Sequence, residues 1–186
     1  MNNKSQLTGI SLVIGGARSG KSRFGERLAL SLNENPLYIA TAEIHDKEMQ
    51  DRIDLHRQDR DERWTTLEEP LNIAPIITRH STADETILLD CLTLWLSNLM
   101  GQGMDIEKET ATLCQTLEKY QGNIILVANE VGQGIVPDNA LARQFRDHAG
   151  RLNQSIAQIA DNVISMVAGL PMIAKKNGIA TYGDYL

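Results

Sequence analysis

The eight residues Gly15-Gly16-Ala17-Arg18-Ser19-Gly20-Lys21-Ser22 constrain this chain more than any other stretch. They fit the pattern G-x-x-x-x-G-K-[ST]. Glycines at such spacing let the backbone curl until successive N–H groups point inward, which makes a cradle for phosphate. A helix that starts at the loop adds the positive end of its dipole. Lys21 then reaches the outer phosphates, and the Ser22 hydroxyl is a ligand for Mg²⁺. The surroundings satisfy the same requirement. A β-branched run, ISLVIG (10–15), precedes the loop, and a helical pattern, RFGERLALSL (23–32), follows it.

Four more short apolar runs recur along the chain: PLYIAT (36–41), TILLDC (86–91), NIILVANE (123–130) and NVISMVAG (162–169). Helical patterns separate them. The clearest runs from Ala140 to Ala160, where Leu141, Phe145, Leu152, Ile156 and Ile159 recur at helical steps on one face. Strands that are apolar throughout and alternate with helices predict a mostly parallel sheet covered on both faces. The expected class is α/β, a P-loop NTPase of the RecA-like type. No composition shift marks a linker, so residues 1–186 read as a single nucleotide-binding domain. Residues 1–9 form an N-terminal extension in this reading, and 176–186 a C-terminal tail.

Composition narrows the function. A net charge of -6 disfavours general nucleic-acid binding. Cys91 and Cys114 have no partners at metal-ligand spacing, and both read as buried, reduced thiols. The polar N-terminus has no signal-peptide core, and no run approaches the ~20 apolar residues of a membrane span. A cytoplasmic location is the expectation.

Two further features suggest chemistry. Asp90 closes an apolar strand, the usual place for the carboxylate that positions the metal of a P-loop; an Asp there also suits a helix N-cap, because Leu92 onward reads as helical. From Lys47 to about Asp59 a helix is predicted, on which Glu48, Arg52, His56 and Arg60 share a face. Arginines on both sides of His56 favour a neutral imidazole, whose free nitrogen is nucleophilic. A solvated, charge-laced helix with an incidental histidine fits the same pattern. Glu130, at the end of the run NIILVANE, suits a metal-ordering carboxylate, a base or a structural ion pair. Trp95, in LTLWL, reads as core.

Taken together, GGARSGKS, YIAT, RIDLHR, LLDCLTLWLSNL, NEVGQGIVPDNALARQFRDHAGRLNQ and GLPMIAK, from about Leu12 to Lys175, resemble the adenosylcobinamide kinase/adenosylcobinamide-phosphate guanylyltransferase family. The resemblance implies two activities of cobalamin nucleotide-loop assembly. A nucleoside triphosphate, ATP or GTP, phosphorylates adenosylcobinamide. A histidine then takes GMP from GTP as a phosphoramidate and passes it to the cobinamide phosphate. That histidine falls on His56, with Lys21 as the second catalytic residue. Nucleotide contacts implied by the resemblance fall on Gly15 to Ser22, on Ala40, Thr41 and Ala42, on Arg57, Gln58, Asp59 and Arg60, and on Glu68 and Asp90. Mg²⁺ falls to Ser22 and Asp90. The implied partners are a corrinoid substrate and further copies of the chain, as a homotrimer, without nucleic acid or membrane span. The competing readings are a plain small-molecule kinase and a nucleotide-dependent regulatory ATPase.

Overall fold

A computed structural model of the chain describes residues 7–43, Lys47 and 61–181. The predicted helix from Lys47 to Asp59, with His56 and Arg57 to Arg60, lies outside the described residues apart from Lys47 itself. The strands are β1 (Ile10–Gly15), β2 (Leu37–Ala40), β3 (Thr65–Glu68), β4 (Thr86–Asp90), β5 (Asn123–Asn129), β6 (Asn162–Val167), β7 (Leu170–Lys176) and β8 (Ile179–Ala180). The described helices are α1 (Lys21–Leu32), α2 (Ile73–Arg79), α3 (Leu92–Gly101), α4 (Ile106–Glu118) and α5 (Ala140–Ile159).

One sheet holds all eight strands in the order β3-β2-β4-β5-β1-β6-β7-β8. The six strands from β3 to β6 pair in parallel, and β7 and β8 add an antiparallel edge. Parallel pairing puts every C-terminal strand end, and therefore Gly15, Ala40, Glu68, Asp90 and Asn129, on one edge of the sheet. Open α/β sheets bind ligands at that edge.

The two-residue period of a strand divides the core. Leu12, Ile87, Leu89, Ile124 and Leu126 face one side, where they pack with residues of α2 to α5, including the fully buried Leu92 and Leu96 of α3. Val13, Leu88, Ile125 and Val127 face the other side, which α1 covers through Phe24, Leu28, Ala29 and Leu32, with Leu94 of α3 packed against the same cluster. The sheet is thus covered on both faces, as the strand pattern requires. Gly25 lets α1 sit close, because a Cβ there would meet Leu88 Cδ1 at 3.0 Å. Trp95 is buried in the larger cluster and donates its indole N–H to Leu71 O at 2.8 Å.

The structure adds detail to three of these expectations. Leu141 is 66% exposed, whereas Ala149, Leu152 and Ile156 carry the buried face of α5. At 20 residues this helix is ~30 Å long, and its first turn outruns the core. The expected tail from 176 is partly ordered by pairing: Lys176 ends β7, β8 follows, and Thr181 Oγ1 donates to Ile173 O at 2.8 Å. The extension is also tied in at its end. Asn162 Nδ2 donates to Thr8 O at 2.8 Å, and the Gly9 N–H donates to Asn123 Oδ1 at 2.9 Å.

Candidate active site

The loop after β1 is a closed curl. Gly15 sits where a Cβ would lie 2.7 Å from Met166 O and 2.7 Å from Ser19 Oγ, so a side chain at this position is excluded. Gly20, the N-cap of α1, has φ 92°, a left-handed conformation open to glycine at little cost. The Ser19 N–H donates to Gly16 O at 3.3 Å, and Lys21 Nζ donates to the same carbonyl at 2.6 Å. The ammonium is therefore folded back over the loop, in the space that the loop encloses. Lys21 is 7% exposed. Burial lowers its pKa, and the charge of Asp90 opposes that shift. An ammonium that is costly to bury at the N-terminus of a helix suits an anion that would neutralise it.

Both neighbours of β1 brace the loop. On the β5 side, the Glu130 N–H donates to Gly15 O at 2.9 Å. On the β6 side, the turn between β6 and β7 carries two left-handed residues, Ala168 and Gly169, and the Gly169 N–H donates to Ser19 O at 3.0 Å. The Ser19 hydroxyl is buried and has no hydrogen-bond partner among the described residues.

Asp90 lies two strands away from β1, with β5 between them, or roughly 10 Å at ordinary strand spacing. It shares a row with Ala40 and Glu68 through direct register pairing. Tyr38 donates its hydroxyl to Asp90 Oδ2 at 3.2 Å, and the Tyr38 ring meets Trp64 edge-on with centroids 5.7 Å apart. Asp90 is not the cap of α3. The next residue, Cys91, takes that position, and its sulfur accepts from the Leu94 N–H at 3.5 Å. The carboxylate is thereby left for the sheet edge.

Thr41 is fully buried. Its hydroxyl donates to Cys91 O at 2.7 Å and accepts from the Cys91 N–H at 2.9 Å. The Thr41 N–H donates to Asp90 O at 3.3 Å, and Asn98 Nδ2 binds both Thr41 O and Pro70 O, at 2.8 and 3.1 Å. These bonds join the ends of β2 and β4 to α3 and fix the backbone that carries Asp90. Ala40 and Ala42 flank this knot and are half-buried. Glu68 is exposed at the end of β3, while Glu69 is engaged locally, its Oε1 accepting the N–H groups of Leu71 and Asn72 at 3.0 and 2.7 Å.

Further residues shape the site, of which the sequence pattern singles out neither Thr93 nor Asn98. Thr93 Oγ1 accepts the Asn129 N–H at 2.6 Å and holds the end of β5 against α3. Asn98 and Cys91 set the path of the chain around Asp90. Glu130 Oε1 accepts the Gly132 N–H at 2.6 Å, which shapes the loop after β5. Arg143 donates to the carbonyls of Pro137 and Asp138, and Arg146 pairs with its neighbour Asp147 at 3.1 Å.

A glycine-rich curl between a parallel strand and a helix, with its lysine inside and an aspartate two strands away, defines a P-loop nucleotide-binding protein. Solved structures agree with this at the level of the fold. A Pyrococcus horikoshii protein of known structure has a TM-score of 0.54 at 11% identity, covering 97% of this chain and 96% of that one. The RadB recombinase has a TM-score of 0.52 at 11% identity, covering 86% and 74%. Sequence comparison then places the chain more narrowly. Residues 11–173 match the cobinamide kinase / cobinamide phosphate guanyltransferase family. The bifunctional adenosylcobalamin biosynthesis protein CobP of Pseudomonas aeruginosa is 48% identical over 168 residues, covering 88% of this chain and 96% of that protein. The corresponding CobU protein of Escherichia coli is 41% identical over 174 residues, covering 86% and 96%. The chain belongs to the cobinamide kinase / cobinamide phosphate guanyltransferase family.

Proposed function

We propose that this chain phosphorylates the free hydroxyl of adenosylcobinamide and then transfers GMP from GTP to the phosphate so made. The observation that carries this reading is a complete phosphate cradle, Gly15 to Ser22, inside a chain whose residues 11–173 match the family. In the first reaction, the acceptor oxygen bonds to the γ-phosphorus of ATP or GTP and the bridge to the β-phosphate breaks. The hydroxyl proton leaves to solvent or to a carboxylate. Positioning and charge neutralisation dominate such transfers. The inward N–H groups of the loop and the Lys21 ammonium neutralise charge that collects on the outer phosphates.

In the second reaction, an imidazole nitrogen of His56 bonds to the α-phosphorus of GTP and pyrophosphate leaves. A phosphate oxygen of cobinamide phosphate then bonds to that phosphorus, the N–P bond breaks, and adenosylcobinamide-GDP is released. Dividing the displacement at a histidine gives a ping-pong half-reaction. One cradle serves both steps because Lys21 neutralises the outer phosphates, whether they accept charge as leaving group or as transferred group. Arg57, Gln58, Asp59, Arg60 and Glu68 complete the guanine-nucleotide site in this reading, with Ala40, Thr41 and Ala42 forming its floor.

Mg²⁺ fits the residues present. Ser22 and Asp90 offer hard oxygen ligands, and no cluster of three or more His, Cys, Asp or Glu able to cage a metal occurs among the described residues. Mg²⁺ is commonly held by one or two protein oxygens together with substrate phosphates. When bound, it neutralises phosphate charge. Assembly with further copies is supported by the edge hairpin, where Val167, Leu170, Met172, Ile173 and Ile179 are all exposed; the number three is implied by the family resemblance alone. A cytoplasmic setting is supported by two free cysteines, and no described helix is long and apolar enough to cross a membrane.

The test is product analysis. Purified protein with adenosylcobinamide, GTP and Mg²⁺ yields the phosphate first and the GDP adduct second, resolved by chromatography and mass spectrometry. Accumulation of the phosphate alone would leave a plain kinase. Triphosphate hydrolysis with neither product would leave a regulatory ATPase.

A further inference from the structure

The loop that leaves β5 is tied to the phosphate cradle at one end and to α5 at the other. At its start, the Glu130 N–H is bonded to Gly15 O, and the Gly132 N–H to Glu130 Oε1. At its end, Arg143 Nη1 donates to Pro137 O and Asp138 O at 3.0 and 2.7 Å, and Asn139 Oδ1 caps α5 by accepting the Ala142 N–H at 2.7 Å. Between these two anchors the loop presents apolar side chains to solvent: Ile135 is 97% exposed and Val136 is 61% exposed. Leu141, 66% exposed on the first turn of α5, adds a third.

Single exposed apolar residues need no explanation, but an adjacent exposed pair on a loop pinned at both ends does. The position limits what can cover it. β5 lies between the strand of the cradle and the strand of Asp90, so its loop leaves the same sheet edge between the two. A molecule resting on Ile135 and Val136 is therefore held at the edge of the sheet that carries the cradle. Three side chains make a patch of a few hundred Å² at most, well below the ~800 Å² per partner that a stable subunit interface buries. They suit the face of a large small-molecule acceptor. A corrin ring is flat, with methyl groups and amide arms at its rim. It matches an apolar ledge flanked by exposed backbone at Gly132 and Gly134 and by the amide of Gln133.

We propose that residues 131–139 form the docking ledge for the corrin ring of the acceptor, with Ile135 and Val136 against its apolar face. The proposal rests on the cobinamide kinase reading above and adds a location to it. The ledge holds the ring outside the cradle and lets the flexible arm carry its hydroxyl inward to the γ-phosphate. Binding energy gained far from the reacting atoms is thereby used to orient them.

The experiment compares wild type with the double variant Ile135→Ser/Val136→Ser and the conservative Ile135→Leu/Val136→Ile, all as the full chain. Steady-state phosphorylation gives KM for adenosylcobinamide and, separately, for the triphosphate, and sedimentation gives the assembly state. The expected result is a rise of at least tenfold in KM for the corrinoid in the serine variant. KM for the triphosphate stays the same, assembly is unaltered, and the conservative pair restores the corrinoid KM. An unchanged corrinoid KM in the serine variant would overturn the ledge while leaving the kinase reading intact. A serine variant that falls apart into smaller species would overturn it in favour of a subunit contact. A wild-type protein that did not phosphorylate adenosylcobinamide would remove the reading itself, and the ledge with it.

Discussion

Replacing Thr41 with valine isolates the knot that holds Asp90. The two side chains have nearly the same shape, so packing is kept while both hydroxyl bonds to Cys91 are lost. The Cys91 carbonyl retains the Trp95 N–H at 3.1 Å, but the Cys91 N–H loses its hydroxyl acceptor in a residue only 7% exposed. One lost net hydrogen bond costs about 1 kcal/mol, and an orphaned buried donor about 1–3 kcal/mol, so Thr41→Val loses about 2–4 kcal/mol. For a chain of this size, that is a fall in Tm of roughly 5–15 °C. Urea unfolding followed by circular dichroism measures it as a lower midpoint with an unchanged slope. Thr41→Ser keeps the hydroxyl and loses only a methyl group, so it costs about 1 kcal/mol. Because Cys91 follows Asp90 directly, Thr41→Val also raises the Mg²⁺ concentration needed for half-maximal turnover. A Thr41→Val protein as stable as wild type, or a Thr41→Ser protein just as damaged, would refute the reasoning.

Lys21→Met tests whether the cradle is strained without its ligand. Burial is the larger influence on Lys21 and lowers its pKa, so between that lowered value and the ordinary lysine value the unfolded chain binds more protons than the folded one. The ammonium therefore destabilises the nucleotide-free protein below this window, and the penalty fades as pH rises through it. Nucleotide-free Lys21→Met is expected to match or exceed wild-type Tm near neutral pH, to lose that advantage at alkaline pH, and to lose the Tm increase that Mg²⁺-GTP gives wild type. A large drop in the Tm of the nucleotide-free variant would contradict this. The Cys91 thiol, pushed up to about 12 by burial and by the Asp90 charge, stays protonated and unreactive. With iodoacetamide at pH 8 the folded protein should leave Cys91 unmodified, whereas the urea-unfolded chain alkylates at both cysteines; fast modification of folded Cys91, read by peptide mapping, would count against its burial.

Much of this architecture is legible in the sequence because the central strands are buried on both faces. Apolar runs at 10–15, 86–90 and 123–129 have few alternatives, and the loop after the first is fixed by its own glycines. The edges are less legible. β3 has three exposed residues among its four, so its apolar signal is a single leucine, Leu67. β7 is exposed over most of its length, and it turns through Ala168-Gly169, which lacks the Asn or Asp of a strong hairpin signal. α2 is only seven residues long and carries Pro75 in its first turn. In the site, the loop and Asp90 follow from local pattern. The knot of Thr41, Cys91 and Asn98 does not, because its bonds join residues about fifty or more positions apart in the chain. The ledge is hidden for a related reason: an isoleucine in a loop looks like any other until its exposure is known.

In the proposed reaction, one phosphate cradle feeds two transfers, the second through a covalent histidine. The measurement that reaches it most directly is incubation with GTP labelled at the α-phosphate and with Mg²⁺, without corrinoid, followed by denaturation. The expected result is label on the protein that is stable to base and lost in acid, released pyrophosphate in equal amount, and no label on His56→Ala or Lys21→Ala. Wild-type protein without label, or His56→Ala protein labelled as strongly as wild type, would contradict it.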